Sequence, residues 1–300
     1  MKIFAPLPGE YIASALKRGN ELLGIKSLPA TDFYIKPIPR IGFGSNSVER
    51  LRADFRDHQV FEYPQFLTRH KIAEEVLNNH TLHPLNAALG RSRAVTNPTP
   101  KVWMKMCPEC AEQDHETHGS AYIHRKHVHA SVLVCDIHCS KLLKTCPHCS
   151  IPLGRHSITG LGLCCQRYKL SKSSDLSKLV PNSPMHLYAK FIAELLNYSG
   201  PTVNRYMAGY IADFSLLRYY AKRIMSSNMI MDITLVIEEE LGLSVKNTNN
   251  GYLLDNKFPI IAFLGCRTAD RYLDLLVNEK ARRSLRKTVI GANLFKANLR

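Results

Sequence analysis

Cys107-Pro-Glu-Cys110 and Cys135-Asp-Ile-His138 each place two metal-ligating side chains at the spacing of a tight turn, with 24 residues between the pairs. Three thiols and an imidazole form the donor set of a closed structural zinc site, which takes four tetrahedral ligands and leaves no position for an activated water. The chemistry these residues offer is therefore to hold a fold, with metal affinity acting as folding free energy of about 10 kcal/mol, as in zinc-finger peptides. A second knuckle, Cys146-Pro-His-Cys149, opens eight residues beyond His138. Its partners are irregular because Cys164 and Cys165 adjoin, so the set reads as Cys146, Cys149 and Cys164 with either Cys165 or His156 as the fourth. One zinc ion is expected, and a second has candidate ligands. Eight of the nine cysteines fall between Cys107 and Cys165, a clustering that favours metal ligation over scattered burial. Cys139 reads as a buried thiol and Cys266 stands alone in an apolar stretch.

Between the knuckles lie His115, His118, His124, His127 and His129, with Arg125 and Lys126 among them. They read as a polar, cationic loop. A nuclease of the HNH type would use such histidines with a divalent ion, and Asp114-His115 inside a cysteine frame invites the comparison. Against it, no Asn occurs between Asn97 and Asn182, and both histidine pairs precede the expected strand from Ala130 to Cys135. No Walker-type loop, Gly-x-Ser-x-Gly elbow, His-Glu-x-x-His helix or zinc-deaminase pattern is present, so the chain reads as non-enzymatic.

The elements that must position these residues are mainly helical. Tyr11, Ile12, Ala15, Leu16, Leu22 and Leu23 recur at helical spacing from Glu10 to Gly24, where glycine suits a C-cap. Prolines and glycines from Leu28 to Ser47 mark a connector, Asn46 and Glu49 resemble a capping box, and another helix is expected from Gln65 to Asn78. His80 to Pro84 reads as a corner, with His80 a hydrogen-bonding residue. Beyond the cysteines, Ser183-Pro184 starts a helix over His186 to Tyr198, and Gly200-Pro201 breaks it. Helices are then expected from Arg205 to Met225, Met229 to Leu241 and Ala269 to Lys287, with a turn or hairpin over Ser244 to Lys257. The fold class is mainly α with small zinc-ribbon or zinc-finger modules. The expected division is an N-terminal helix-turn-helix-like domain (1–100), a zinc-binding module (101–175) and a C-terminal helical basic domain (176–300).

Forty Lys and Arg against 25 Asp and Glu give a charge of +15 over 300 residues, which favours nucleic acid or acidic partners. After Glu279 there are seven basic residues and no acid. On a helix Arg282 shares a face with Arg286, and Arg283 with Lys287, a candidate phosphate-tracking strip. Apolar runs such as Ala130 to Cys135 fall well short of the roughly 20 residues of a membrane span, and no secretory signal is seen, so a cytoplasmic location is expected.

Three features together resemble the TniQ/TnsD family, the target-selection factors of heteromeric bacterial transposons. Pro6-Leu-Pro8-Gly-Glu10-Tyr11-Ile-Ala-Ser14 is similar to the family's N-terminal Pro-x-x-x-Glu-x-x-x-Ser. His80-Thr81-Leu82-His83-Pro84-Leu85 resembles its His-Thr-x-x-Pro-Leu, and the order Cys107-Pro-x-Cys110, Cys135-x-x-His138, Cys146-Pro-x-Cys149 resembles its knuckles. Cys164-Cys165 departs from the family's second spaced pair. The resemblance implies an N-terminal helix-turn-helix-like unit, zinc fingers and no catalysis. Its implied partners are target DNA or an RNA-guided CRISPR effector ribonucleoprotein, the transposon's AAA+ ATPase, and a second copy in a homodimer, although no heptad is legible. A zinc-containing, sequence-specific DNA-binding regulator is the alternative, with the HNH-like nuclease third.

Overall fold

A computed structural model describes residues 6–22, 24, 74–90, 104–147, 149–161, 178–201, 203–226, 233–243, 252–278 and 282. Among them the fold is mostly helical and no sheet forms; β-pairing is confined to isolated bridges.

The first helix, α1 (Ile12–Leu22), buries Tyr11, Ile12 and Ala15 and ends before Gly24, whose φ of 66° is the left-handed conformation expected of a C-cap glycine. Upstream, Gly9 (φ 69°) turns the chain so that residues 9–11 run beside 123–125. The pairing consists of Tyr11 N–H to Ile123 O (2.8 Å) and Arg125 N–H to Gly9 O (2.9 Å). Two short helices, α2 (Glu74–His80) and α3 (His83–Ala88), meet at a corner where Thr81 Oγ1 accepts from His83 N–H, and Pro84 lies in the first turn of α3. His80 Nδ1 bonds Glu10 O at 2.9 Å, the hydrogen-bonding role expected of it. Residues 25–73, with the connector and capping box, lie outside the described residues.

In the central region α4 (Pro108–His118) and α5 (Arg125–Val128) replace the expected histidine-rich loop. Pro108 opens α4 and Gly119 (φ 69°) closes it. The expected strand from Ala130 to Cys135 reduces to one bridge, Val134 with Lys141. The reason is Lys105: fully buried, it donates Nζ to the carbonyls of His129 (2.7 Å), Ala130 (3.4 Å) and Val132. Carbonyls satisfied by a lysine are not left to pair with a strand.

Five further helices follow: α6 (Pro184–Leu195), α7 (Arg205–Ser226), α8 (Ile233–Leu241), α9 (Tyr252–Cys266) and α10 (Ala269–Val277). Helix α6 is central, touching α3, α5, α8, α9 and α10. Its Tyr188 and Phe191 meet Phe263 edge-on at 5.3 and 5.7 Å, and Phe191 meets Tyr272 at 6.2 Å. Helices α7 and α9 approach closely at Gly265, where a Cβ would lie 2.6 Å from Leu216 N. One apolar core runs from Tyr11 through the cysteines to Leu275, and Tyr188 Oη–Ser131 Oγ (2.6 Å) and Tyr272 Oη to Ala88 O (3.0 Å) tie the helices to the preceding segments.

Two C-terminal expectations are corrected. The turn over Ser244 to Lys257 gives way at Tyr252, where α9 begins; packing of its Ile260–Leu264 segment extends helix into polar residues, because propagation costs far less than nucleation. The helix expected from Ala269 to Lys287 is interrupted after Val277 by extended Asn278 (φ −95°, ψ 102°), where its buried stripe of Ala269, Tyr272 and Leu275 runs out; Arg282 beyond it is again helical, with its N–H on Asn278 O (3.1 Å). No helix among the described residues is long and apolar enough to cross a membrane.

Candidate metal centre

Segment 140–143 assembles the first site. One edge returns to the preceding arm through Cys135 N–H to Ser140 O (2.9 Å) and Leu142 N–H to Leu133 O (2.9 Å). The other binds Met106 through two bonds with Leu143, at 3.0 and 2.8 Å. Cys107, next to Met106, is thereby carried beside Cys135. Cys107 is the residue capping α4 and Cys110 lies in its first turn, where the helix dipole favours thiolates. The Cys135–His138 turn closes through Cys139 N–H to Cys135 O (3.2 Å), with Cys139 at φ 58°, and His138 N–H points at Cys135 Sγ (3.5 Å). Cys139 itself is buried outside the cluster.

The four ligand atoms lie within 4.8 Å of one another. His138 Nδ1 is 3.5 Å from Cys107 Sγ, 3.4 Å from Cys110 Sγ and 3.6 Å from Cys135 Sγ; Cys110 and Cys135 sulfurs are 3.7 Å apart. A tetrahedron with metal–sulfur bonds of about 2.3 Å and metal–nitrogen bonds of about 2.0 Å has edges of ~3.8 Å between sulfurs and ~3.5 Å from sulfur to nitrogen. The residues therefore fit a four-coordinate ion of that size. Their electrostatics agree. Hydrogen bonds to Cys110 and Cys135, then burial, push the Cys107 thiol up. Cys110, drawn down by its bond with Cys107, is pushed further up by Cys135 and burial, to about 12. Cys135 is the sulfur that its bonds from Cys107 and Cys110 hold ionised. Three sulfurs this close keep one negative charge by sharing protons, and ionising all of them calls for a cation at the centre.

Surrounding groups support the site, and Ser140, Lys178 and His186 among them carry no sequence signal because they lie outside the two knuckles. Glu109 accepts from Ser140 Oγ (2.7 Å), meets Lys178 Nζ (3.4 Å) and lies 3.3 Å from Cys107 Sγ. Burial raises the Glu109 carboxyl, but its bonds to Ser140 and neighbours outweigh that and hold it below the usual value. His186 donates from Nε2 to Asp136 O (2.8 Å) and accepts Asn182 N–H at Nδ1 (2.9 Å). His127, fully buried and 3.9 Å from Asp136 Oδ1, forms a third grouping with Cys135 and Asp136; sharing Cys135, this is the flank of the first site. Of the other histidines, His115 Nε2 bonds Leu161 O (2.5 Å) and His124 Nε2 pairs with Asp114 Oδ2 (2.8 Å).

The second grouping brings together Cys146, Cys149 and His156. A hairpin carries the cysteines, with Cys146 N–H to Ile151 O (2.9 Å) and Ser150 N–H to Cys146 O (3.0 Å). His156 Nδ1 donates to Ser157 O (2.7 Å), which leaves Nε2 as the ligand atom. Helix α1 clamps this loop: Lys17 Nζ donates to Gly154 O (3.1 Å) and His156 O. Glu21 accepts from Ser157 Oγ (2.8 Å), Ile158 N–H (3.1 Å), Thr159 N–H (3.0 Å) and Thr159 Oγ1 (3.1 Å). Among the described residues His156 is brought to these cysteines; Cys164 and Cys165 lie outside the described residues.

In the basic strip, Arg282 Nη1 turns back to the carbonyls of Leu275 (3.2 Å) and Leu276 (2.5 Å) at the end of α10. Arg283, Arg286 and Lys287 lie outside the described residues.

Fold and site together define a mostly helical protein organised around paired cysteine–histidine knuckles that could hold metal ions. The TniQ family model matches residues 3–142, a little under half of the chain. That span takes in Glu10, Ser14, His80 to Leu85 and the whole first knuckle pair, and stops before Cys146. No curated protein matches the chain.

Proposed function

We propose that the chain is a non-enzymatic, zinc-stapled target-selection adaptor of DNA transposition, linking target DNA or an RNA-guided CRISPR effector complex to the transposon's AAA+ ATPase in the cytoplasm. The observation that carries this reading is the TniQ match over residues 3–142, which ends just beyond the first four-ligand cluster. Transposition adaptors are what that family comprises. Zinc suits three thiolates and an imidazole in a tetrahedron, and a site with all four positions taken by protein is a staple, with no place for a substrate. Zinc would be held by Cys107, Cys110, Cys135 and His138, and a second ion by Cys146, Cys149 and His156 with Cys164 or Cys165. The charge of +15 supports a polyanionic partner, with Arg283, Arg286 and Lys287 the proposed contacts and Arg282 holding the helix end beside them. The division at about residues 100 and 175 belongs to the same reading.

The test joins elemental analysis to partner capture. Purified chain should carry one zinc for each knuckle pair, retain the AAA+ ATPase encoded with it, and leave duplex DNA uncut in Mg²⁺ or Mn²⁺. Cutting that disappears in His115→Ala would sink the proposal.

A further inference from the structure

His127 on α5 is 1% exposed, and among the described residues neither of its ring nitrogens has a hydrogen-bond partner. Buried polar groups are almost always satisfied, so an exception points to a function that completes it. On one side the ring packs 5.3 Å from the ring of His124, whose Nε2 is committed to Asp114 Oδ2 at 2.8 Å. On the other, a ring nitrogen, Cys135 Sγ and a carboxylate oxygen of Asp136 lie within 4.8 Å of one another. Asp136 is already engaged, with Lys126 Nζ 2.9 Å from Oδ1 and 3.1 Å from Oδ2, and its Oδ1 is 3.9 Å from His127 Nε2, beyond hydrogen-bond range. The ammonium also supplies the positive charge that a cation would bring to this carboxylate, so the grouping does not call for an ion of its own. The remaining acceptor is the sulfur.

We propose that His127 is a positioning residue of the first site, donating a ring N–H to the Cys135 thiolate and thereby helping to retain the metal ion. The inference rests on the reading that Cys107, Cys110, Cys135 and His138 hold zinc. Three thiolates and an imidazole around a divalent ion leave one negative charge in excess, and a charge enclosed by protein must be met by hydrogen bonds. Cys135 is fully buried and has His138 N–H at 3.5 Å. At Cys107 the neighbouring side chain is the Glu109 carboxylate, 3.3 Å from Sγ, which brings no N–H to a thiolate. A further donor therefore has to come from the α5 side, where His127 stands. The thiols of Cys107 and Cys110 are the donors that Cys135 Sγ has within the cluster; metal binding releases their protons, and the acceptor capacity passes to the imidazole. Helix α5 begins at Arg125, whose N–H binds Gly9 O, so the bond also ties the metal to the N-terminal segment.

The test loads the full chain with an NMR-active cadmium isotope. A ring N–H of His127 should resist exchange and show scalar coupling to the metal through the Cys135 sulfur, a signature that packing alone does not produce. In competition with a chromophoric chelator, His127→Phe, which keeps a buried ring without the donor, should bind zinc at the first site about 10–100-fold more weakly, with the second site unmoved. His127→Gln and His127→Asn carry an amide N–H towards the two ring-nitrogen positions, and one of them should recover most of the loss. A loaded parent without the coupling, a His127→Phe chain that binds as tightly as the parent, or failure of both amides to recover affinity would overturn this proposal and leave the zinc reading intact. Loss of an additional ion from His127→Phe, with the first site still filled, would make His127 a ligand and overturn it as well. A parent that takes up no metal at the four knuckle residues would overturn the zinc reading, and this proposal with it.

Discussion

Glu10 offers the sharpest test of how the N-terminal motif works. Its carboxylate is fully buried and binds Arg18 twice, Oε2 to Nη2 at 2.8 Å and Oε1 to Nε at 3.1 Å, while also accepting Ser14 Oγ (3.0 Å) and Leu7 N–H (2.9 Å). Glu10→Gln keeps the shape but removes the charge, and turns one acceptor into a donor facing donors. Arg18, itself 4% exposed, then keeps a buried charge without its carboxylate. Breaking such a pair costs about 3–5 kcal/mol, against a total stability of about 5–15 kcal/mol. For a unit of 150–250 residues each kcal/mol moves Tm by about 2–4 °C, so thermal unfolding followed by circular dichroism should fall by roughly 6–20 °C. Removing both partners should be gentler: Glu10→Gln with Arg18→Met should recover most of the loss, because no charge is left buried. High salt should not abolish the difference, since a pair this buried is poorly screened. A loss below about 1 kcal/mol, or a double variant worse than the single, would refute the claim that the pair is coupled and desolvated.

Three further outcomes are expected. Lys105→Met should destabilise the chain by about 2–4 kcal/mol in urea titration, because the carbonyls of His129, Ala130 and Val132 lose their common donor; a neutral result would mean that those carbonyls find other partners. Cys110→Ser should cost the first metal ion and the fold around it, whereas His156→Ala should cost the second ion alone, as read by metal content and by the spectrum of the cobalt-substituted protein. Glu21→Ala should lower stability by about 2 kcal/mol and speed chelator removal of the second ion, leaving the first unaffected, since Glu21 accepts four hydrogen bonds from residues 157–159.

What was legible in the sequence was local. The helix after Ser183-Pro184, the corner at His80 to Pro84 and the two-by-two ligand spacing depend on residues a few positions apart, and the structure places them as expected. What escaped depends on contacts far apart in the chain. Lys105 cancels a strand that the β-branched residues of 130–135 favour, by reaching 24 to 27 residues ahead. Lys17 and Glu21 hold the loop of the second candidate site about 137 residues away, and nothing in their own neighbourhood marks them. The approach of His156 to Cys146 and Cys149 likewise waits on a loop that α1 clamps. Helix α7 shows the same limit from the other side: its inward face is plain once Ala208, Ile211, Ala212 and Ser215 are known to be buried. In the sequence alone two apolar stripes on one helix cannot be assigned to inside and outside. Spacing identifies which side chains could act together within one turn or knuckle, and tertiary contacts decide which of them meet, so the knuckles were readable before the fold and the clamps that orient them were not.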